Sequence, residues 1–126
     1  MRVVDTSAWI EYLLGSPTGR SLAAEMPERH RSVVPTIVQF ELAKWLAREA
    51  TEQAGAKAMA DTMKCVVSEL DTSVALRAAD LAREHKLAVA DAVVYATALA
   101  YDAELLTCDA HFKDLPGVIY FPKARP

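Results

Sequence analysis

The chain alternates very short apolar runs with stretches of helical spacing. Arg2 to Val4, Ser32 to Pro35, Val66 to Leu70, Glu104 to Thr107 and Val118 to Phe121 are each three to five residues long. Runs of that length suit strands and are too short for helices. Strands that are apolar throughout, without alternation, are covered on both faces, as in parallel sheets with helical crossovers. The expected fold is therefore α/β, a mostly parallel sheet flanked by helices.

The helices have recognisable ends. Ala8 to Leu14 follows Ser7, a residue suited to capping, and stops at Gly15. A second helix is expected over Gly19 to Met26, and Thr36 caps a long one reaching Ala50. Thr51 to Lys64 carries another, with Gly55 near its start. Asp71, Thr72 or Ser73 caps the helix ending near His85, and the last runs from Ala90 to Tyr101. The tail from Pro122 to Pro126 is expected to fray. With 126 residues and no repeat or linker, the chain reads as one domain spanning residues 1–126.

Composition narrows the class. With 52% apolar and 25% charged residues the chain is neither disordered nor fibrous. Its longest uncharged stretch, Ala92 to Tyr101, falls well short of the roughly 18 apolar residues of a membrane span. The start, Met1 to Asp5, lacks the apolar core of a secretion signal, so a cytoplasmic protein is expected. Cys65 and Cys108 read as buried free thiols. The net charge of −3 supplies no global basic field. A nucleic-acid partner would be held by local cations, drawn from Arg20, Arg29, Arg31, Lys44 and Arg48, and by metal.

Four acids stand out by their neighbours. Asp61 and Asp80 have basic residues three or four positions away and read as solvated ion-pair partners. Glu41 instead has Ile37, Val38, Lys44 and Trp45 at those offsets, and Asp91 has Leu87, Ala88, Val94 and Tyr95. Asp5 follows Val3-Val4, and Asp109 stands just past the Leu105-Leu106 run. In an open α/β sheet the ligand crevice lies beyond the carboxyl ends of strands, so Asp5 and Asp109 are also candidates by position. Carboxylates in apolar surroundings must be paired, protonated or bound to metal. Each acid alone has an ordinary reading too: Asp5 as a helix cap, Asp91 as an acid at a helix start, Asp109 as an Asx-turn. Capping is closed to Glu41, which lies inside a helix.

The ordered set Val3-Val4-Asp5-Thr6-Ser7, Glu41-Leu42-Ala43, Ala90-Asp91-Ala92 and Leu106-Thr107-Cys108-Asp109 followed by Phe112 resembles the PIN-domain nucleases. At this length the chain looks like the VapC-type toxins of toxin–antitoxin pairs. The resemblance implies a five-stranded sheet of order 3-2-1-4-5 with Asp5 and Asp109 side by side. It implies an acidic quartet of Asp5, Glu41, Asp91 and Asp109, supported by the hydroxyls of Ser7 and Thr107. Tyr95 and Cys108 depart from the usual pattern without touching the quartet.

An oxygen-only donor set favours Mg²⁺ or Mn²⁺, one or two ions, over zinc. Asp5 and Asp91 lead as direct ligands, with Asp109 assisting and Glu41 either ligating or holding water. The implied activity is metal-dependent endoribonucleolytic hydrolysis leaving 5′-phosphate and 3′-hydroxyl ends. The implied partners are RNA, a cognate antitoxin and a second copy in a homodimer, with no membrane. The aromatic residues Trp9, Tyr12, Phe40 and Trp45 read as core, or as lining of the helical faces such partners use.

Other readings remain open on the sequence. His30, His85 and His111 are scattered and read as surface or loop residues, which leaves metal-free cleavage through the 2′-hydroxyl without its usual histidine pair. Cys108 and His111 alone make too few ligands for zinc. A non-catalytic PIN-like module that binds RNA or protein is the main alternative. An Asp-dependent phosphotransfer protein is another, although Ser7 stands where such phosphatases place a second acid.

Overall fold

The computed structural model describes residues 1–124. Its strands are β1 (Arg2–Val4), β2 (Ser32–Pro35), β3 (Val66–Ser68), β4 (Glu104–Thr107) and β5 (Val118–Tyr120). Its helices are α1 (Thr6–Leu14), α2 (Pro17–Leu22), α3 (Thr36–Glu49), α4 (Glu52–Met63), α5 (Thr72–His85) and α6 (Val89–Ala100). All neighbouring strands are parallel and the order is β3-β2-β1-β4-β5, the order that the family resemblance implies.

The three inner strands explain the unbroken apolar runs. Val3, Val4, Val33, Val34, Leu105 and Leu106 are all fully buried, each contributing about 1.5–3 kcal/mol of burial free energy. Strands with both faces covered have no solvent side on which alternation would show. α1 packs on α2 and α3, and α5 packs on α6. Right-handed crossovers put these two groups on opposite faces of the sheet.

The chain leaves β1 toward β2 and β3, then returns past them to β4 and β5. The order therefore reverses between β1 and β4, where an α/β crevice opens. Val4 is in register with Leu106, and the Asp5 amide donates to the Leu106 carbonyl at 2.9 Å. Asp5 and Thr107 thus emerge level with one another at that switch.

Helix ends differ from expectation in informative ways. α1 begins two residues earlier than its apolar spacing indicates, with Asp5 rather than Ser7 at the N-cap position. The Asp5 carbonyl accepts the Ala8 and Trp9 amides at 3.0 Å, but its side chain makes no capping bond. α1 does stop at Gly15, which takes the left-handed conformation (φ +61°). α2 starts at Pro17, because Ser16 caps the Gly19 amide at 2.9 Å and a proline suits the first helical position. Pro35, not Thr36, holds the N-cap position of α3, whereas Thr51 and Asp71 cap α4 and α5 with their side chains.

Residues 122–124, expected to fray, are hydrogen-bonded to α2. The Ala124 amide donates to Thr18 Oγ1 at 2.8 Å, and that hydroxyl donates to the Pro122 carbonyl at 3.4 Å. Arg125 and Pro126, the end of the expected frayed tail, lie outside the described residues. Among the described residues no helix is long and apolar enough to cross a membrane.

Candidate active site

Each acid arrives at the β1–β4 switch by a different route. Asp5 is the residue after β1, Asp109 lies two past β4, Asp91 sits in the first turn of α6, and Glu41 lies in the second turn of α3. A cleft of about 580 Å³ lined by Met1, Arg2, Glu28, Arg31 and Glu104 lies at the opposite, amino end of the strands. It is remote from all four acids.

Asp5 is the most buried of the four, only 5% exposed. Both hydroxyls expected to support the quartet converge on one of its oxygens: Ser7 Oγ and Thr107 Oγ1 each donate to Oδ2 at 2.8 Å. The two hydroxyl oxygens lie 3.2 Å apart, but each has one proton, and both protons point at Asp5. Their own lone pairs accept backbone amides, Cys108 N to Ser7 at 3.0 Å and Asp109 N to Thr107 at 3.0 Å. Ser7 therefore acts inside α1 as a bridge to β4, not as a cap. No group among the described residues bonds Asp5 Oδ1, and it is not sealed from solvent. One oxygen is anchored and the other is left toward the crevice.

Burial raises the Asp5 pKa from its ordinary 3.8 to about 6. The Ser7 and Thr107 hydrogen bonds pull it down in part, and the charges of Asp91 and Asp109 push it further up. The Asp91 pKa is raised as well, by burial first, then by the charge of Asp109, with the His111 contact opposing and Glu41 adding to the rise. These mutual effects bring all four carboxylates into one electrostatic unit. A cation is the economical way to hold such a group ionised at neutral pH.

The tightest cluster is Asp91, Asp109 and His111, whose ligand atoms lie within 4.8 Å of one another. His111 Nδ1 is 3.2 Å from Asp91 Oδ2 and 3.3 Å from Asp109 Oδ1. Asp109 also forms the Asx-turn that is its ordinary role, accepting the His111 amide on Oδ1 at 2.9 Å. The turn opens a 3-10 segment, Ala110–Phe112, that drives Phe112 into the core and leaves His111 at the crevice.

Glu41 is half-buried, and the Thr6 hydroxyl donates to its Oε1 at 2.8 Å. The bond ties α3 to the first residue of α1. Thr6 and His111 are the two site residues that sequence reasoning does not single out. A threonine next to the strand-end acid, and a histidine two residues past a turn-forming Asp, are the signals that mark them.

Tyr95, a departure from the family pattern, has a structural place. Its hydroxyl donates to the Pro116 carbonyl at 2.8 Å and its ring packs 6.5 Å from Phe112. It thereby couples the helix carrying Asp91 to the segment carrying Asp109. Cys108 is a buried free thiol whose pKa burial pushes up to about 11, while Cys65 is free and half-buried. Among the described residues the ligand atoms grouped with His111 are those of Asp91 and Asp109, not of Cys108.

Asp80 pairs with its helical neighbour Arg83 at 2.8 Å as expected, while Asp61 pairs chiefly with the distant Arg29 at 3.0 Å and only loosely with its expected neighbour Lys64 at 3.9 Å. Of the candidate RNA-contacting cations, Arg29 and Arg48 are engaged by Asp61 and Glu49, and Arg20 by the Gly15 carbonyl. Lys44 is exposed on α3, one helical turn from Glu41.

The donor set fits a hard divalent ion. Asp91 and Asp109 bring carboxylate oxygens within 4.8 Å of one another beside His111, while Asp5 and Glu41 stand outside that cluster and act on it through their charge.

Solved structures share the fold of this chain. The chain is similar in structure to a toxin–antitoxin complex from Klebsiella pneumoniae (TM-score 0.81, 21% identity, 94% of this chain and 96% of that one). It is also similar to the sarcin-ricin loop cleaving toxin VapC20 of Mycobacterium tuberculosis (TM-score 0.75, 20% identity, all of both chains). A third similar structure is VapBC2 from Rickettsia felis bound to a DNA fragment from their promoter (TM-score 0.73, 13% identity, 98% of both chains). Curated proteins give no match. The PIN domain family model matches residues 2–118, from the first strand through to the start of the last, and the chain accordingly belongs to the PIN domain family.

Proposed function

We propose that this chain, with residues 1–126 acting as one domain, is a Mg²⁺- or Mn²⁺-dependent endoribonuclease, the toxin of a toxin–antitoxin pair in the cytoplasm. Asp5, Glu41, Asp91 and Asp109 are its catalytic and metal-binding residues, and Ser7 and Thr107 support them. The observation that carries this reading is Asp5 itself. A carboxylate buried at the crevice, with two hydroxyls fixing one oxygen and the other left open, is arranged as a ligand and not as a helix cap.

When bound, one or two divalent ions neutralise the acids, activate water and stabilise charge on the phosphoryl group. The chain's residues supply the framework for that chemistry. Asp5 offers Oδ1 from a fixed position, because rotation about its side chain would break both hydroxyl bonds. Asp91 and Asp109 face each other across the crevice. Glu41, held at Oε1 by Thr6, keeps its other oxygen to orient water or metal from the α3 side. Without a cation the four acids repel a phosphodiester, so Lys44 alone would not hold RNA there. The products are 5′-phosphate and 3′-hydroxyl ends.

Similarity to toxin–antitoxin complexes supports an antitoxin as a second partner, and the assembly proposed with it is a homodimer. A cationic antitoxin side chain entering the acidic crevice would compete directly with metal. The test is incubation of the purified protein with RNA in Mg²⁺ or Mn²⁺, with and without EDTA. Cleavage that EDTA abolishes and the cognate antitoxin suppresses is the expected result. Metal-independent cleavage, or RNA binding with no cleavage in either ion, would overturn it in favour of a 2′-hydroxyl mechanism or a non-catalytic module.

A further inference from the structure

His111 is 71% exposed, so nothing in the core dictates where its ring goes. Its imidazole is nevertheless turned into the crevice, with Nδ1 at 3.2 Å from Asp91 Oδ2 and 3.3 Å from Asp109 Oδ1. The Asx-turn that seats its amide on Asp109 fixes the backbone from which the ring reaches. The three side chains offer ligand atoms within 4.8 Å of one another, a separation that one ion can bridge after small rotations.

We infer that His111 is a nitrogen ligand of the metal centre and that it tilts the site toward Mn²⁺ and away from Mg²⁺. This rests on the metal-dependent reading above and adds to it a donor of a different chemical kind. Mg²⁺ takes oxygen ligands in a near-ideal octahedron and gives up its water reluctantly. Imidazole binds later first-row ions more strongly, and affinity at such sites rises from Mn²⁺ onward along that series. A site of two carboxylates and one imidazole on an exposed 3-10 turn can rearrange to seat the larger ion.

The test uses the full-length protein without added antitoxin, titrated separately with Mn²⁺ and Mg²⁺, alongside His111→Ala and Asp91→Asn. Pulsed electron paramagnetic resonance on the Mn²⁺-loaded samples reports nitrogen coordination directly, independent of activity. Circular dichroism confirms that each variant is folded. In the unsubstituted protein a ¹⁴N coupling to bound Mn²⁺ is expected. In His111→Ala that coupling disappears and Mn²⁺ affinity falls by about tenfold or more, while Mg²⁺ affinity changes by less than about threefold. Bound Mn²⁺ without a nitrogen coupling, or an unchanged preference in His111→Ala, overturns the role of His111 and leaves the metal-dependent reading intact. Failure of Mn²⁺ and Mg²⁺ to bind the unsubstituted protein more tightly than Asp91→Asn overturns both.

Discussion

Thr107 on β4 donates its hydroxyl proton to Asp5 Oδ2 at 2.8 Å, and the same hydroxyl oxygen accepts the Asp109 amide at 3.0 Å. One side chain therefore sets the orientation of the acid after β1 and the path of the backbone leading to the acid after β4. The two strands are hydrogen-bonded neighbours only because the sheet order reverses between them.

The buried Asp5 makes the metal-free protein less stable at neutral pH. Its folded pKa, about 6, exceeds its ordinary 3.8, so between those values the folded state binds more protons than the unfolded one. Its contribution is fully present below pH 3.8 and is lost as pH rises through about 6, a swing of about 3 kcal/mol. In EDTA, thermal unfolding should show this as a melting temperature that falls from pH 5 to pH 7.5. Asp5→Asn should flatten that dependence, melt higher than the unsubstituted protein at neutral pH, and lose cleavage by about a thousandfold.

Removing the Thr107 hydroxyl should move the pH dependence of cleavage. A hydrogen bond to the charged carboxylate lowers its pKa, so Thr107→Val leaves burial opposed by Ser7 alone and raises the Asp5 value further. The acid limb of the Mn²⁺-dependent pH–rate profile is expected to shift to higher pH. The Asp109 amide also loses its acceptor, at a cost of about 1 kcal/mol in a denaturant titration.

Thr6 should matter to catalysis through Glu41. Thr6→Val deletes the 2.8 Å bond that holds Glu41 Oε1 without changing side-chain volume appreciably. Cleavage is expected to fall by about tenfold, less than in Glu41→Gln, and combining the two should cost little beyond Glu41→Gln alone. Additive losses in single-turnover assays would show that Thr6 acts independently of Glu41.

Gly19 should be intolerant of any side chain although it lies far from the acids. A Cβ there would sit 1.9 Å from the Glu11 carbonyl oxygen and 2.5 Å from its carbon, where α2 packs on α1. Backbone cannot yield as a flexible side chain can. Gly19→Ala is expected to destabilise by about 3 kcal/mol, read as a lower denaturation midpoint, and to loosen the segment that carries Thr6 and Ser7.

The strands were legible because burial on both faces leaves unbroken apolar runs, as at Val3-Val4 and Leu105-Leu106. The partial burial of Glu41 and Asp91 follows from their apolar helical neighbours, whereas Asp80 pairs with its neighbour Arg83 and Asp61 with the distant Arg29. Capping is a local rule, and by that rule alone Ser7 is a helix cap. Its hydroxyl instead answers to Asp5 and to the Cys108 amide, contacts that local rules do not contain. His111 escaped for the same reason. Its pairing with Asp91 spans twenty positions and depends on a turn that folds it back while Cys108 goes into the core.

What the sequence determined by itself was the inventory: which segments are strands or helices, and which acids lack the surroundings of a surface acid. Those are matters of neighbours along the chain, where periodicity and propensity act. Only the tertiary structure decided that Asp5 offers one free oxygen, that Thr6 holds Glu41, and that an imidazole stands between Asp91 and Asp109. Such contacts join residues from separate elements, and their geometry is set by strand order, register and packing rather than by any residue's own preference.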